Sequence, residues 1–245
     1  MIRTLADGLL AVILAPVCAA CREPLERPTL SIVCAPCWAS IVPLAPPFCA
    51  SCGEPVPLSR TAGPGDRCAH CRRIRSVIAA GRSVSEYAGT MRSVLHALKY
   101  DGRRSIAPAL SRLMRECGES VLNGADWAVP VPLHWRRRWA RGFNHATELA
   151  SGLGLPVVQA LRRNRHTRSQ TDFPAARRHA NVRHAFAPAR RTPSAGRCIV
   201  LVDDVSTTGA TLEACARTLL RAGAREVRTL TAARAVSRLR SGRPR

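Results

Sequence analysis

Residues 199–211 read Ile-Val-Leu-Val-Asp-Asp-Val-Ser-Thr-Thr-Gly-Ala-Thr, and no other run restricts the fold as much. Ile199–Val202 is short, rich in β-branching and wholly apolar, the pattern of a strand buried on both faces of a parallel sheet. Parallel strands need long crossover connections, usually helical, so this one strand already implies an α/β architecture. Asp203 and Asp204 stand where the strand is expected to end, the edge at which open α/β sheets bind ligands. The turn from Ser206 to Thr211 follows at once. Gly209 admits close backbone approach, and Thr207, Thr208 and Thr211 add hydroxyl donors. From Leu212 to Ala222, Leu212, Ala216, Leu219 and Leu220 share a helical face, and Gly223 is a stop signal. The N-terminal amides and dipole of that helix would face an anion in the turn. Together these parts suit a phosphorylated sugar. The alternative is a polar turn without a ligand, but two adjacent carboxylates there are costly without a polyhydroxyl or cationic partner.

The first 71 residues hold eight of the eleven cysteines, as four Cys-x-x-Cys pairs. Cys18, Cys21, Cys34 and Cys37 form one set; Cys49, Cys52, Cys68 and Cys71 form a second. Each pair puts two thiolates on one side of a tight turn, and two such turns close a tetrahedral four-sulfur zinc site. Two structural Zn²⁺ sites are therefore expected, in a reducing compartment. All-cysteine ligation leaves no open position for a catalytic water, and metal binding would supply the folding energy of this proline-rich module. Sequential pairing into two ribbons is the first expectation; a cross-braced arrangement, with pairs one and three sharing a metal, is the alternative. His70 is expected to be exposed and not a ligand. Cys117, Cys198 and Cys215 stand alone and read as small buried residues.

The chain of 245 residues has room for one α/β core and this smaller module. Its formal net charge is +22, and Lys99 is the one lysine among 38 basic residues. Arginine bias explains the missing lysines but not the excess over 16 acidic residues, so an anion-facing surface is expected. Leu9–Val17 is apolar but too short to span a bilayer, and residues 1–17 are read as a short amphipathic helix beside the first cysteine turn. The protein is read as soluble and cytoplasmic, with no membrane insertion.

Between module and motif, Ser76–Tyr87 reads as extended, Thr90–Leu98 and Ile106–Cys117 as helices, and Trp127–Val131 as a strand. A helix over Phe143–Leu153 and a strand over Leu155–Val158 follow, with a last strand over Val227–Ala233. This alternation predicts a mostly parallel sheet covered on both faces. Residues 162–191 carry nine arginines and little periodicity, the mark of a lid or binding loop, with a solvated charge run as the alternative. The expected organisation is an N-terminal helix at 1–17, a double zinc ribbon at 18–74, an α/β domain at 75–236 and a basic tail at 237–245.

The run at 203–211 resembles the phosphoribosyl-pyrophosphate (PRPP) motif of type I phosphoribosyltransferases. The resemblance implies that Asp203 and Asp204 hold ribose, and that Ser206, Thr207, Thr208, Gly209, Ala210 and Thr211 wrap the 5′-phosphate. Further motifs stand in order: Tyr87-x-Gly89-x-x-Arg92, Leu98-Lys99-Tyr100, Pro130-Val131-Pro132-Leu133, Arg141-Gly142-Phe143-Asn144, Arg168-x-Gln170-Thr171 and Arg178-x-x-Asn181-Val182. With the two cysteine ribbons, this layout is similar to that of ComF-family proteins, double-zinc-ribbon phosphoribosyltransferase-like proteins linked to DNA uptake. The chain departs from the family where His145 follows Asn144, a place often held by Gln, and where Asp172-Phe173 replaces Gly-Leu.

The resemblance implies a site for PRPP with Mg²⁺, the metal held largely by the ligand's own oxygens and by water. By similarity to glutamine-dependent amidophosphoribosyltransferases, Pro132 and His134 fall in the pyrophosphate loop, and Arg168 and Gln170 in a lid. Lys99 and Arg141 are further candidates for pyrophosphate contact. Thr207 stands where phosphoribosyltransferases for 6-oxopurines carry a base-contacting carboxylate, so purine salvage is disfavoured. Two classes remain: a phosphoribosyltransferase with an unidentified acceptor, or a non-catalytic protein binding PRPP or nucleotide and single-stranded DNA, working with other DNA uptake proteins. Trp135, Trp139 and Phe143 interleave with Arg136–Arg141, the place where nucleic acid contact is expected, with packing of the loop onto the sheet as the alternative.

Overall fold

The computed structural model describes residues 16–56, 66–133, 142–164, 185–189 and 194–236. Four parallel strands form its main sheet: β1 (Gly81–Glu86), β2 (Trp127–Pro130), β5 (Cys198–Ser206) and β6 (Glu226–Arg234), in the order β1-β6-β5-β2. β5 is central, and Cys198–Val202 are fully buried, as the apolar run requires. The sequence pattern predicts a strand over Leu155–Val158. The structure gives only a parallel bridge between Ala128 and Val157, because Pro156 accepts from the Ala128 amide but has no N–H to extend the ladder.

Helices cover both faces. One apolar cluster joins Val84, Ala128, Val200, Val202 and Leu230 to α3 (Gly89–Tyr100), α4 (Ala107–Cys117) and α6 (His145–Ser151). The other joins Val129, Ile199, Leu201 and Val227 to α7 (Ala210–Arg221) and to a small antiparallel pair, β3 (Leu161–Arg163) with β4 (Phe186–Pro188). The strand parity of β5 assigns these sides: Ile199 and Leu201 face α7, and Val200 and Val202 face α3, α4 and α6. A short helix, α5 (Glu119–Leu122), links α4 to β2. After β2 the chain crosses one face through α6, and after β5 it crosses the other through α7. The carboxyl ends of β2 and β5 therefore flank the topological switch point where such sheets bind ligands.

The cysteine module docks on this sheet. Its short helices α1 (Ala35–Ala39) and α2 (Ala69–Arg73) begin directly after Cys34 and Cys68, their N-cap residues. Cys18, Leu25, Val33, Cys37 and Ile41 belong to the same apolar cluster as α3, so the first ribbon shares the domain's core. Pro43 bridges Ser85 and the Leu44 amide bonds the Val84 carbonyl at 2.8 Å, covering the open edge of β1. The second ribbon meets β1 backbone to backbone. Gly53 has φ +70° there, and a Cβ on it would collide with the Gly81 carbonyl. No helix among the described residues is long and apolar enough to cross a membrane. The expected helix at 1–17, except its last two residues, and the tail at 237–245 lie outside the described residues.

Candidate functional site

β5 runs further than its apolar stretch. Asp203, Val205 and Ser206 pair with Thr231, Ala233 and Arg234 of β6, so the ladder continues past the acidic pair. The two aspartates thus sit within the strand, not beyond its end. Strand alternation then separates them: Asp204 falls on the side of α3 and α6, and Asp203 on the side of α7.

Asp204 is 4% exposed and receives two basic side chains. Lys99 Nζ, from the last turn of α3, lies 2.7 Å from its Oδ2, and His145 Nε2, from the first residue of α6, lies 3.0 Å away. Burial by itself would raise the Asp204 pKa, but His145 and Lys99 outweigh it and hold the carboxyl well below the usual range. Lys99 is raised in turn: burial opposes its charge, and Asp204 more than restores it. Its ammonium also lies 5.9 Å from the centre of the Tyr87 ring. Asp203 differs. Burial and the neighbouring Asp204 charge push it up to about 8, while its Oδ1 accepts the Asp204 amide at 2.9 Å. One carboxyl is therefore fixed as an anion, and the other holds its proton near neutrality.

The turn after the pair has the features that its residue types imply. Gly209 is left-handed at φ 73°, and a Cβ there would meet nothing within 4 Å, so the turn borders open space. α7 starts at Ala210, two residues earlier than the leucine periodicity predicts, because Gly209 takes the N-cap place. Ser206 Oγ and Thr208 Oγ1 are buried without a hydrogen-bond partner among the described residues. Such hydroxyls are costly to leave unpaired and suit a polar ligand.

Asn144 organises the other wall. It caps α6 by accepting the Ala146 amide at 3.1 Å, and its Nδ2 donates to the Val131 carbonyl at 3.1 Å. The Val131 amide bonds the Val202 carbonyl at 2.9 Å, so the Pro-Val-Pro-Leu segment is pinned between β5 and α6. The same cap makes α6 begin at His145, two residues later than expected. Pro132, Leu133, Phe143, Asn144 and Glu148 help to line a cleft of about 500 Å³ beside it.

Of the expected site residues, Lys99 and the 203–211 run are brought together, and Pro132 lines the adjoining cleft. His134, Arg141, Arg168 and Gln170 lie outside the described residues, as do Trp135 and Trp139. Sequence reasoning did not place His145 beside the acidic pair. The signal was present: it departs from the family's usual Gln directly after the Asn144 cap.

His145, Asp203 and Asp204 place donor atoms within 4.8 Å of one another. A divalent ion bound directly there would meet the Lys99 ammonium already seated on Asp204. With that ammonium in place, the donor set fits hydroxyl groups better than a bare metal.

The eight ribbon cysteines gather as Cys18, Cys21, Cys34 and Cys37, and as Cys49, Cys52, Cys68 and Cys71, with all sulfurs of each set within 4.8 Å. Cross-bracing is thereby excluded. The Cys21–Cys34 and Cys52–Cys68 sulfurs are each 3.8 Å apart, the edge of a tetrahedron with Zn–S bonds of about 2.3 Å. Amides also point at sulfur: Cys34 N to Cys18 Sγ at 3.3 Å and Cys68 N to Cys49 Sγ at 3.2 Å. Both sets fit zinc. His70 is half-buried instead of exposed and stands outside the four-sulfur set. Cys198 and Cys215 are buried as expected, and Cys117 is half-buried.

Comparison with known proteins matches residues 140–241 to the phosphoribosyl transferase domain and residues 9–75 to the double zinc ribbon domain. The chain is similar to the DNA utilization protein YhgH of Salmonella typhimurium, 35% identical over 220 residues, covering 86% of this chain and 93% of that protein. It is also similar to competence protein F of Haemophilus influenzae, at 27% identity over 77% of this chain and 85% of that protein. Competence protein ComFC of Bacillus subtilis is 28% identical over 78% of this chain and 79% of its own length. The two four-cysteine clusters and the double zinc ribbon match support zinc at both sites.

Proposed function

This chain belongs to the ComF family, and on that premise we propose that the site at the carboxyl ends of β2 and β5 binds PRPP, with Mg²⁺ carried on its diphosphate. The observation that carries this reading is the pairing of a buried and a half-buried carboxyl, Asp204 and Asp203, with a left-handed Gly209 turn whose Ser206 and Thr208 hydroxyls lack partners among the described residues. Asp204, held anionic by Lys99 and His145, accepts ribose hydroxyls. Asp203, beside it, both accepts and donates. Ser206, Thr207, Thr208 and Thr211, with the first amides of α7, surround the 5′-phosphate. Pro132 and the segment that Asn144 pins form the floor beneath the diphosphate. Lys99 is close enough to Asp204 to be shared with the ligand's diphosphate. Magnesium would add charge neutralisation on that diphosphate. His134, Arg141, Arg168 and Gln170 are proposed to close over it.

We assign the reaction class as phosphoribosyl transfer to an acceptor other than a 6-oxopurine, because Thr207 replaces the base-contacting carboxylate. The names of the relatives support a place in the uptake or use of DNA, and two four-cysteine sets suited to zinc support a cytoplasmic location. A purely binding role for PRPP and single-stranded DNA is favoured by the net charge of +22. Pyrophosphate release over a panel of acceptors, with and without single-stranded DNA, separates the two. Release with some acceptor is expected. Binding of PRPP with no release under any condition would leave the binding role alone.

A further inference from the structure

Two buried charged side chains join the second cysteine cluster to the phosphate turn, one on each side of it. On the strand side is Arg234, the last residue of β6 and 3% exposed, which shares its ladder rung with Ser206. Its guanidinium leaves the sheet and donates from Nη1 to the Cys52 carbonyl at 2.6 Å, with Nη2 3.5 Å from Glu54 Oε2. On the helix side is Glu213, in the first turn of α7 and 5% exposed. It accepts from Ser76 Oγ at 2.8 Å and from the Val77 amide at 3.1 Å, and pairs with Arg217 at 2.7 Å. The Ser76 amide in turn bonds the Cys71 carbonyl at 3.1 Å, and Arg217 reaches the Ile74 and Arg75 carbonyls.

Cys52 and Cys71 come from the two different pairs of the second cluster. Each is thus tied through a short hydrogen-bond chain to a residue that flanks the 206–211 turn. The first cluster's ties go elsewhere, through Ser40 to Thr90 and through Leu44 to Val84. A buried guanidinium and a buried carboxylate are expensive to keep in place for packing alone; here the Cys52 carbonyl and Glu54 hold Arg234, whose Nε has no partner among the described residues, and Ser76, Val77 and Arg217 hold Glu213. If the second cluster loses its metal and its loops relax, Arg234 loses the Cys52 carbonyl, and Ser76, which holds Glu213, loses its anchor on the Cys71 carbonyl.

We propose that Arg234 and Glu213 are positioning residues that couple metal occupancy of the second cysteine cluster to the shape of the phosphate turn, so that ligand and zinc stabilise one another. The inference rests on the PRPP reading of the turn. Coupling between two sites is reciprocal, so it is visible from the metal side without any turnover. The test uses zinc-loaded full-length protein, with and without PRPP and Mg²⁺, exposed to a zinc-selective chelator and iodoacetamide. Alkylation is read cysteine by cysteine, and a thermal melt of the same samples reports whether PRPP is bound.

The expected result is a melting shift together with slowing of alkylation at Cys49, Cys52, Cys68 and Cys71 by about five-fold or more, the low end of typical coupling. Cys18, Cys21, Cys34 and Cys37 should keep their rates. Glu213→Gln and Arg234→Gln should remove the difference between the clusters; if either variant fails to fold, the wild-type comparison alone decides. A melting shift with both clusters slowed equally, or neither slowed, overturns the coupling and leaves the PRPP reading intact. Absence of any melting shift overturns both.

Discussion

Replacing Asp203 by asparagine should stabilise the ligand-free protein while removing its response to ligand. The folded state raises the Asp203 pKa from 3.8 to about 8, through burial and the adjacent Asp204 charge. Within that window the native protein holds a proton that the unfolded chain has released, so this group makes stability fall as pH rises. Each unit corresponds to about 1.4 kcal/mol, which sets a ceiling of about 6 kcal/mol above pH 8. Solvent at the open edge of Asp203 and attraction from Lys99 reduce the realised value, and we expect about 2 kcal/mol. For a domain of this size that is about 4–8 °C in melting temperature. Asp203→Asn cannot ionise in either state, so its melting temperature should match the wild type near pH 4 and exceed it by a margin that grows up to about pH 8. The cysteine clusters are common to both proteins and cancel in the comparison. Parallel profiles across this range would refute the argument that Asp203 carries a buried proton.

Two other substitutions separate structure from binding. Gly209→Ala meets no neighbouring atom but is strained at φ 73°, so it should cost about 1 kcal/mol in a thermal melt and lower PRPP affinity by more, as its methyl enters the phosphate space. Lys99→Met leaves the buried Asp204 carboxylate with His145 alone, and should destabilise the protein by about 2–3 kcal/mol, read by chemical denaturation; a change under about 0.5 kcal/mol would contradict the ion pair.

The strand, the turn, the helix and the sequential cysteine sets were legible because each is local: apolar runs, glycine chemistry and ligand spacing act within a few residues. The charge pattern of the site was not. Lys99 and His145 reach Asp204 from separate helices, and only the packing of α3 and α6 on one face brings them together. The opposite facing of Asp203 and Asp204 would have followed from strand alternation, had the strand been drawn through the pair. The apolar run ends at Val202, whereas β6 continues to pair beyond the aspartates. Arg234 and Glu213 were hidden for a related reason: their charge reads as surface, and only the docked ribbon buries them. The missing strand at Leu155–Val158 turned on one proline donor.

The central claim is that Asp203, Asp204 and the following turn form a PRPP site. Calorimetric titration of PRPP with Mg²⁺ into the wild type and into Asp203→Asn/Asp204→Asn tests it most directly. Saturable binding to the wild type, and none to a double variant that still melts cooperatively, is the predicted result. No heat with the wild type, or equal affinity in the variant, would contradict it.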